Sequence, residues 1–536
     1  MEHFTGESMK RILIAALAFV AAVFFLRAQD PFDLIIRNGT VVDGSGKAGF
    51  RADVGIRNGI IVEVGKLGSA QAKDTIDAAG LIVAPGFIDV HTHADDLDRK
   101  PLAENYVRMG VTSVVAGNCG GSTANVAESF RTIREAGAAI NWATLVGHNT
   151  VRRAVMGSAN RAPTAEELAK MKELVARAMA EGAVGFSTGL QYVPGVYADA
   201  QEIVELAKVA AAAGGVYASH MRNEGTEIQK TIAETIAVGE QARCRVQISH
   251  IKIDSPKNWN ESVQVLALID AARRRGVQVE ADQYAYEAGS SGLSIRFPAW
   301  ALEGGREQIR KRLDDPATWA KIKEEMIQLY EERGFHDLSW GVVSSYNADK
   351  SLEGLSMKEV ALKLKGDGSA DAQLEVAREM MLRGAPGMVY HFMSEDDIAS
   401  FMRHPRVAVA SDSSLVTPGD GVPHPRSYGN NARVLGHYVR DLKVISLEEA
   451  VRKMTSLPAE QFRFDRRGRI AKGFAADVVI FDRNTVADRA TYAQPHQYPA
   501  GIPHVVVNGA VVLRNGTHTG AKPGQILLSV HGNSRK

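Results

Sequence analysis

Eight short apolar runs, each ending in polar residues, recur through the middle of this chain: GFIDVHTH, VTSVVAGNC, ATLVGHN, AVGFSTG, GVYASH, RVQISH, VQVEADQ and VAVASD. Amphipathic stretches lie between several of them, and the spacing predicts helices over Ala165–Glu181, Ala200–Ala213 and Ser262–Arg275. Gly182, Gly214 and Gly276 follow these stretches, where helix C-caps belong. Apolar strands alternating with helices indicate a parallel sheet covered on both faces. Eight such units are the number that closes a (β/α)8 TIM-like barrel, with its working face at the C-terminal strand ends.

The interval between VQVEADQ and VAVASD is too long for one helix, so residues from about 290 to 400 are expected to form an insertion that lids the site. On either side of the barrel the pattern changes to short strands and turns. Asn38-Gly39, Asn58-Gly59 and Asn508-Gly509 each read as a tight hairpin turn between Val/Ile-rich runs. The sequence therefore predicts one small β-sandwich built from residues 32–84 and 468–536, with the barrel over 85–467 between its halves.

The N-terminus is of another kind. Lys10 and Arg11 precede an apolar run, Ile12 to Leu26, closed by Arg27-Ala28. A run of that length fits a secretory signal better than a membrane span, which needs about 20 residues. Residues 1–28 are read as a signal peptide or anchor, and the expected location is exported, periplasmic or secreted.

Composition excludes several classes. Sixty-three Lys+Arg against 62 Asp+Glu leave a net charge of +1, with no basic stripe or module for nucleic acid. Two cysteines cannot staple a disulfide scaffold. A Cys119–Cys244 bridge is the alternative to a free thiol, but Cys244 precedes His250 by six residues. At about 3.3 Å per residue it lies roughly 20 Å away along its strand, beyond disulfide reach.

The strand ends carry metal-ligand side chains. His91 and His93, two residues apart, point to the same face of the first strand. Cys119 lies just past the second strand, His220 and His250 end the fifth and sixth, and Asp412 ends the eighth. Any one of these is unremarkable; together, at one end of one barrel, they make a metal site. Imidazole and thiolate favour zinc over magnesium. Near the same mouth, Arg426, Lys252, Tyr284 and Tyr192 are candidates to bind a substrate. Arg296, within the otherwise apolar SGLSIRFPAW, is a candidate partner for an acidic side chain.

APGFIDVHTH, GNCG, SHMRNEG, SHIK, ADQYAYEAGSSGL and HPRSYGNNARVLGHYVR together resemble the amidohydrolase superfamily, specifically its D-aminoacylase (N-acyl-D-amino-acid deacylase) family. The resemblance runs from about Asp33 to Val512. It implies that Cys119, His220 and His250 hold one tight zinc, with His91, His93 and Asp412 lining a weaker or empty second position. It also implies hydrolysis of N-acyl-D-amino acids to a carboxylate and a free D-amino acid. A metal-bound hydroxide would be the nucleophile, with Asp412 taking a proton from the water and returning it to the amine. The alternative is a related amidohydrolase acting on D-configured dipeptides or cyclic amides; a non-catalytic barrel scaffold would be expected to have lost ligands. Two departures stand near the mouth: Gly121-Ser122 follow GNCG, where an aromatic residue is common, and Asn149 in GHNTVR occupies a usual glycine. Both bear on acyl specificity.

Overall fold

The computed structural model describes residues 31–529; the signal or anchor expected over 1–28 lies outside them. Eight parallel strands appear where the apolar runs place them: β1 (Phe87–Asp89), β2 (Val111–Ala116), β3 (Asn141–Gly147), β4 (Gly185–Gly189), β5 (Val216–His220), β6 (Arg245–Ile248), β7 (Val279–Gln283) and β8 (Val407–Val409). They pair in chain order, with β7 bonded to β8. The ring meets at the C-terminal face, where Ser413 and Ser414 run parallel to Thr92 and His93, and Asp412 N donates to His91 O at 2.9 Å.

Small and branched side chains fill the interior: Ile88, Val115, Ala143, Leu145, Val216 and Ala218 share one buried cluster with Phe462 and Phe464. Outward-facing residues pack under the helices, as a sheet buried on both faces requires. The predicted helices occur over Ala165–Glu181, Ala200–Ala212 and Ser262–Arg274. The first shows why its ends are legible. The Thr164 hydroxyl accepts from Glu167 N while the Glu167 carboxylate accepts from Thr164 N, and Gly182 stops the helix at φ 119°. Replacing Thr164 by Ala would cost about 1 kcal/mol.

Strands from both ends of the chain join one nine-stranded sheet. The seam pairs Val83 with Ile480 in antiparallel register, so the first and last parts of the chain meet there. Leu34, Ile36, Val54, Ile56, Val83, Val478, Ile480 and Val506 form its own core. Asn58-Gly59 and Asn508-Gly509 make the predicted two-residue hairpins, with φ of 50° and 75°, and 46° and 82°. Asn38-Gly39 does not. It lies inside one strand, Phe32–Val41, and shifts the register against the neighbouring strand. A Cβ on Gly39 would come within 2.4 Å of a Val83 methyl, so this glycine serves close packing instead of a turn.

Between β7 and β8 the chain forms a three-stranded antiparallel sheet, Ala288–Gly292, Gly387–His391 and Gly341–Ser345, with four α-helices between Arg306 and Arg383. This segment sends Ser290, Ser291, Arg296, Tyr390 and Phe392 to the cavity at the barrel mouth.

Candidate active site

Three of the predicted ligands stand in left-handed backbone conformations just beyond their strands: Cys119 at φ 53°, His250 at 34° and Asp412 at 51°. Each such residue costs of order 1–3 kcal/mol, and such strain persists where the surrounding structure fixes it. Its effect is to bend the chain at the strand ends and bring the side chains together.

All six predicted ligands converge. His91 Nε2 lies 3.3 Å from Cys119 Sγ and 3.6 Å from Asp412 Oδ1, and His93 Nε2 is 3.2 Å from the same oxygen. His250 Nε2 joins the other half, 3.5 Å from Cys119 Sγ and 2.7 Å from His220 Nδ1. Three overlapping donor groups result among the described residues: His91, Cys119 and His250; His91, His93 and Asp412; and His220, Glu224 and His250, each with its ligand atoms within 4.8 Å of one another. Both cysteines are free; Cys244 is partly buried near the start of β6, and burial pushes its thiol up to about 12.

Charges in this cluster favour a cation. Burial alone would raise the Cys119 thiol, yet His91 and His250 hold it well below its usual value. Burial likewise opposes ionisation of Asp412, but Arg426, His91 and His93 hold its carboxyl well below the carboxylate range. His93 is raised to about 10 against the penalty of burial, through Asp412 and Cys119. His91, His93 and His250 are thus all shifted toward the protonated form, from which a divalent ion would displace the proton. A thiolate, four imidazoles and a carboxylate with that balance fit a borderline ion such as zinc.

Three acidic residues that sequence reasoning missed support the ligands. Asp282 Oδ1 stands 3.2 Å from His91 Nδ1 and accepts from His250 N at 2.7 Å. Asp89 accepts from His91 N and Ser411 N, tying the first strand to the eighth. Glu224 lies 3.0 Å from His250 Nδ1 and accepts from Lys252 Nζ at 2.8 Å. Such outer carboxylates fix ring orientation and raise ligand basicity. All three stand inside quoted motifs, Asp89 in APGFIDVHTH, Asp282 in ADQYAYEAGSSGL and Glu224 in SHMRNEG, but no local spacing marks them as partners of the ligands.

Of the five proposed substrate residues, all but Arg426 line the cavity. Lys252 and Tyr284 line the cavity, though Lys252 is turned to Glu224 and to His250 Nδ1, 2.7 Å away. Arg426 lies behind the wall, its guanidinium 4.5 Å from the centre of the Tyr284 ring and 2.9 Å from Asp412 Oδ2. Tyr192 packs on His220, ring centres 4.7 Å apart. Arg296 reaches the cavity stacked on Tyr390 at 4.2 Å and Trp340 at 4.7 Å, with its buried Nε unpartnered. Asp254, which lines the same cavity, is the carboxylate whose charge acts on it.

Comparison with known proteins agrees with this geometry. The Amidohydrolase family profile matches residues 74–322 and 369–513. A D-aminoacylase of Alcaligenes xylosoxydans xylosoxydans is 38% identical over 93% of this chain and 98% of its own. An N-acyl-D-glutamate deacylase of the same organism is 39% identical over 93% and 97%. The crystal structure of N-acyl-D-glutamate deacylase from Bordetella bronchiseptica, complexed with zinc and a phosphonate inhibitor, superposes with a TM-score of 0.80. It shares 35% identity and covers 93% of this chain and 100% of its own. The chain belongs to the amidohydrolase family, within its D-aminoacylase branch.

Proposed function

We propose that this protein is a zinc-dependent hydrolase of N-acyl-D-amino acids and that it prefers an acidic D-side chain. The observation that carries the reading is the juxtaposition of the six predicted ligands with a half-buried arginine that makes no salt bridge among the described residues, at one cavity. Cys119, His220 and His250 would hold the tight ion, and His91, His93 and Asp412 a second, weaker position. A zinc ion held there supplies Lewis acidity, polarising the amide carbonyl and lowering the pKa of water toward about 7.

The rest of the chemistry belongs to side chains. Asp412 is ionised, so it enters as a base: it accepts a proton from the attacking water at Oδ1 and delivers it to the departing amine nitrogen. Lys252 and Tyr284 face the substrate α-carboxylate, and the Arg426 charge stands behind the tyrosine ring. Arg296 receives the side-chain carboxylate; its stacking on Tyr390 and Trp340 presents the planar fork that suits a bidentate partner. Stereochemical preference rests on the relatives, two of which are named for D-amino acid substrates.

The test is a panel of N-acetyl-D-amino acids, with Glu, Met, Leu and Phe side chains, assayed for free amine. Glu is expected to be turned over best. Equal rates across the panel would remove Arg296 from the account, and no turnover by zinc-loaded protein would overturn the reaction.

A further inference from the structure

Asn149 is the second residue of the helix His148–Met156, which follows β3 directly, and is 4% exposed. Its Nδ2 donates to Gly189 O at 3.1 Å and to Tyr192 O at 3.2 Å. Two glycines, Gly120 and Gly195, make room for it, and Gly189 at the end of β4 allows the neighbouring backbones to approach. A Cβ on Gly120, the residue after Cys119, would meet Asn149 Oδ1 at 2.3 Å. One on Gly195 would meet the same atom at 2.4 Å, and one on Gly189 would meet Cys119 O at 2.0 Å. One amide, at the start of the helix after β3, is thus enclosed between the segments that follow β2 and β4.

The third of these loops carries Tyr192, whose ring lies 4.7 Å from that of His220 and whose hydroxyl accepts from Ser291 Oγ at 3.3 Å. Arg153 Nη2 donates to Val193 O at 2.9 Å and Arg222 Nη1 to Val196 O at 3.1 Å from outside the Gly189–Val196 loop; within it, Tyr192 N donates to Gly189 O and Val196 N to Tyr192 O. Asn149 adds bonds to both of the same carbonyls from outside the loop. A buried amide bridging two main-chain carbonyls restricts a turn that local bonds alone leave loose. We propose that Asn149 is a positioning residue: its side-chain amide fixes Tyr192 against His220 and so sets how the substrate is gripped there. The effect on substrate rests on the deacylase reading; the effect on the loop does not.

Asn149→Ala and Asn149→Ser, with Tyr192→Ala and the double variant N149A/Y192A, test this by two readouts. Amide hydrogen exchange over residues 190–196 is expected to quicken about tenfold in N149A, the size of one to two neutral hydrogen bonds, and less in N149S, which keeps a donor. KM for the best N-acetyl-D-amino acid is expected to rise about tenfold with kcat within about threefold, and N149A is expected to add little to Y192A. Unchanged exchange in both single variants at residue 149 would overturn the proposal, whatever the substrate. Quickened exchange with KM losses that add to those of Y192A would overturn the link through Tyr192. If wild-type protein hydrolyses no N-acyl-D-amino acid, the deacylase reading fails and exchange alone judges Asn149. If N149A does not fold, exchange in N149S decides: faster than wild type supports the proposal, unchanged overturns it.

Discussion

Arg426 Nη1 stands 2.9 Å from Asp412 Oδ2, so the carboxylate assigned the proton transfers is held by a buried guanidinium on one oxygen and faces two histidines with the other. This pairing decides the protonation state in which Asp412 begins.

Arg426→Met should therefore raise the Asp412 pKa. A carboxylate must be ionised to act as base, so the acidic limb of the kcat profile is expected to move to higher pH. A pH–rate profile checks this; a limb that stays in place would show that Arg426 does not set the ionisation of Asp412.

Asp412→Asn keeps the shape and removes the base. Turnover should fall by about 10²–10⁴-fold. Zinc content measured on the same sample should stay near that of the wild type, because Cys119, His220 and His250 are untouched. Loss of the metal along with activity would make Asp412 a principal ligand.

Cys119 is the soft ligand of the cluster, 3.3 Å from His91 Nε2 and 3.5 Å from His250 Nε2. Cys119→Ala should lose tightly bound zinc, and chelation of wild-type protein should lower its melting temperature reversibly. A ligand at 100 times its Kd stabilises the native state by about 2.7 kcal/mol, enough to read by thermal melting. Full zinc retention in the variant would exclude the thiolate as ligand.

Much of this site was legible because strand ends are local features. His91 and His93 announce themselves by a two-residue spacing, and His220, His250 and Asp412 each close an apolar run. The partners of those ligands were not legible. Asp282 meets His91 across 191 residues of chain, and Arg296 stacks on side chains 44 and 94 residues further on, contacts that only the closed barrel and its inserted sheet create. Asn38-Gly39 shows the opposite limit. Its local signal is that of a hairpin, but Val83, brought alongside by the sheet, gives the glycine another use.

Arg296→Met should leave stacking against Tyr390 and Trp340 largely intact and remove the charge. Loss of a charged hydrogen-bonding partner is worth about 1.5–3 kcal/mol, so preference for N-acetyl-D-glutamate over N-acetyl-D-methionine should fall by roughly 10–100-fold. An unchanged ratio of kcat/KM values would place the side-chain carboxylate elsewhere.

Glu224 links pH to stability. Burial would raise its carboxyl, but Lys252, His250 and His220 hold it far below its ordinary value of 4.5. An acid depressed in the folded state adds stability above its unfolded pKa and loses it as the pH falls toward the folded value. Metal-free wild-type protein should therefore lose stability progressively below about pH 4.5, and Glu224→Gln should flatten that part of the melting curve against pH. Parallel curves for the two proteins would contradict the assignment.

The central claim is metal-dependent cleavage of an N-acyl-D-amino acid at the cluster of Cys119, His220, His250 and Asp412. Its most direct test is hydrolysis of N-acetyl-D-glutamate and N-acetyl-L-glutamate by the zinc-loaded protein, with the chelated protein and Asp412→Asn alongside. Turnover of the D enantiomer alone, lost on chelation, restored by zinc and abolished in the variant, is the predicted result. Equal turnover of both enantiomers, or turnover that survives complete removal of the metal, would contradict it.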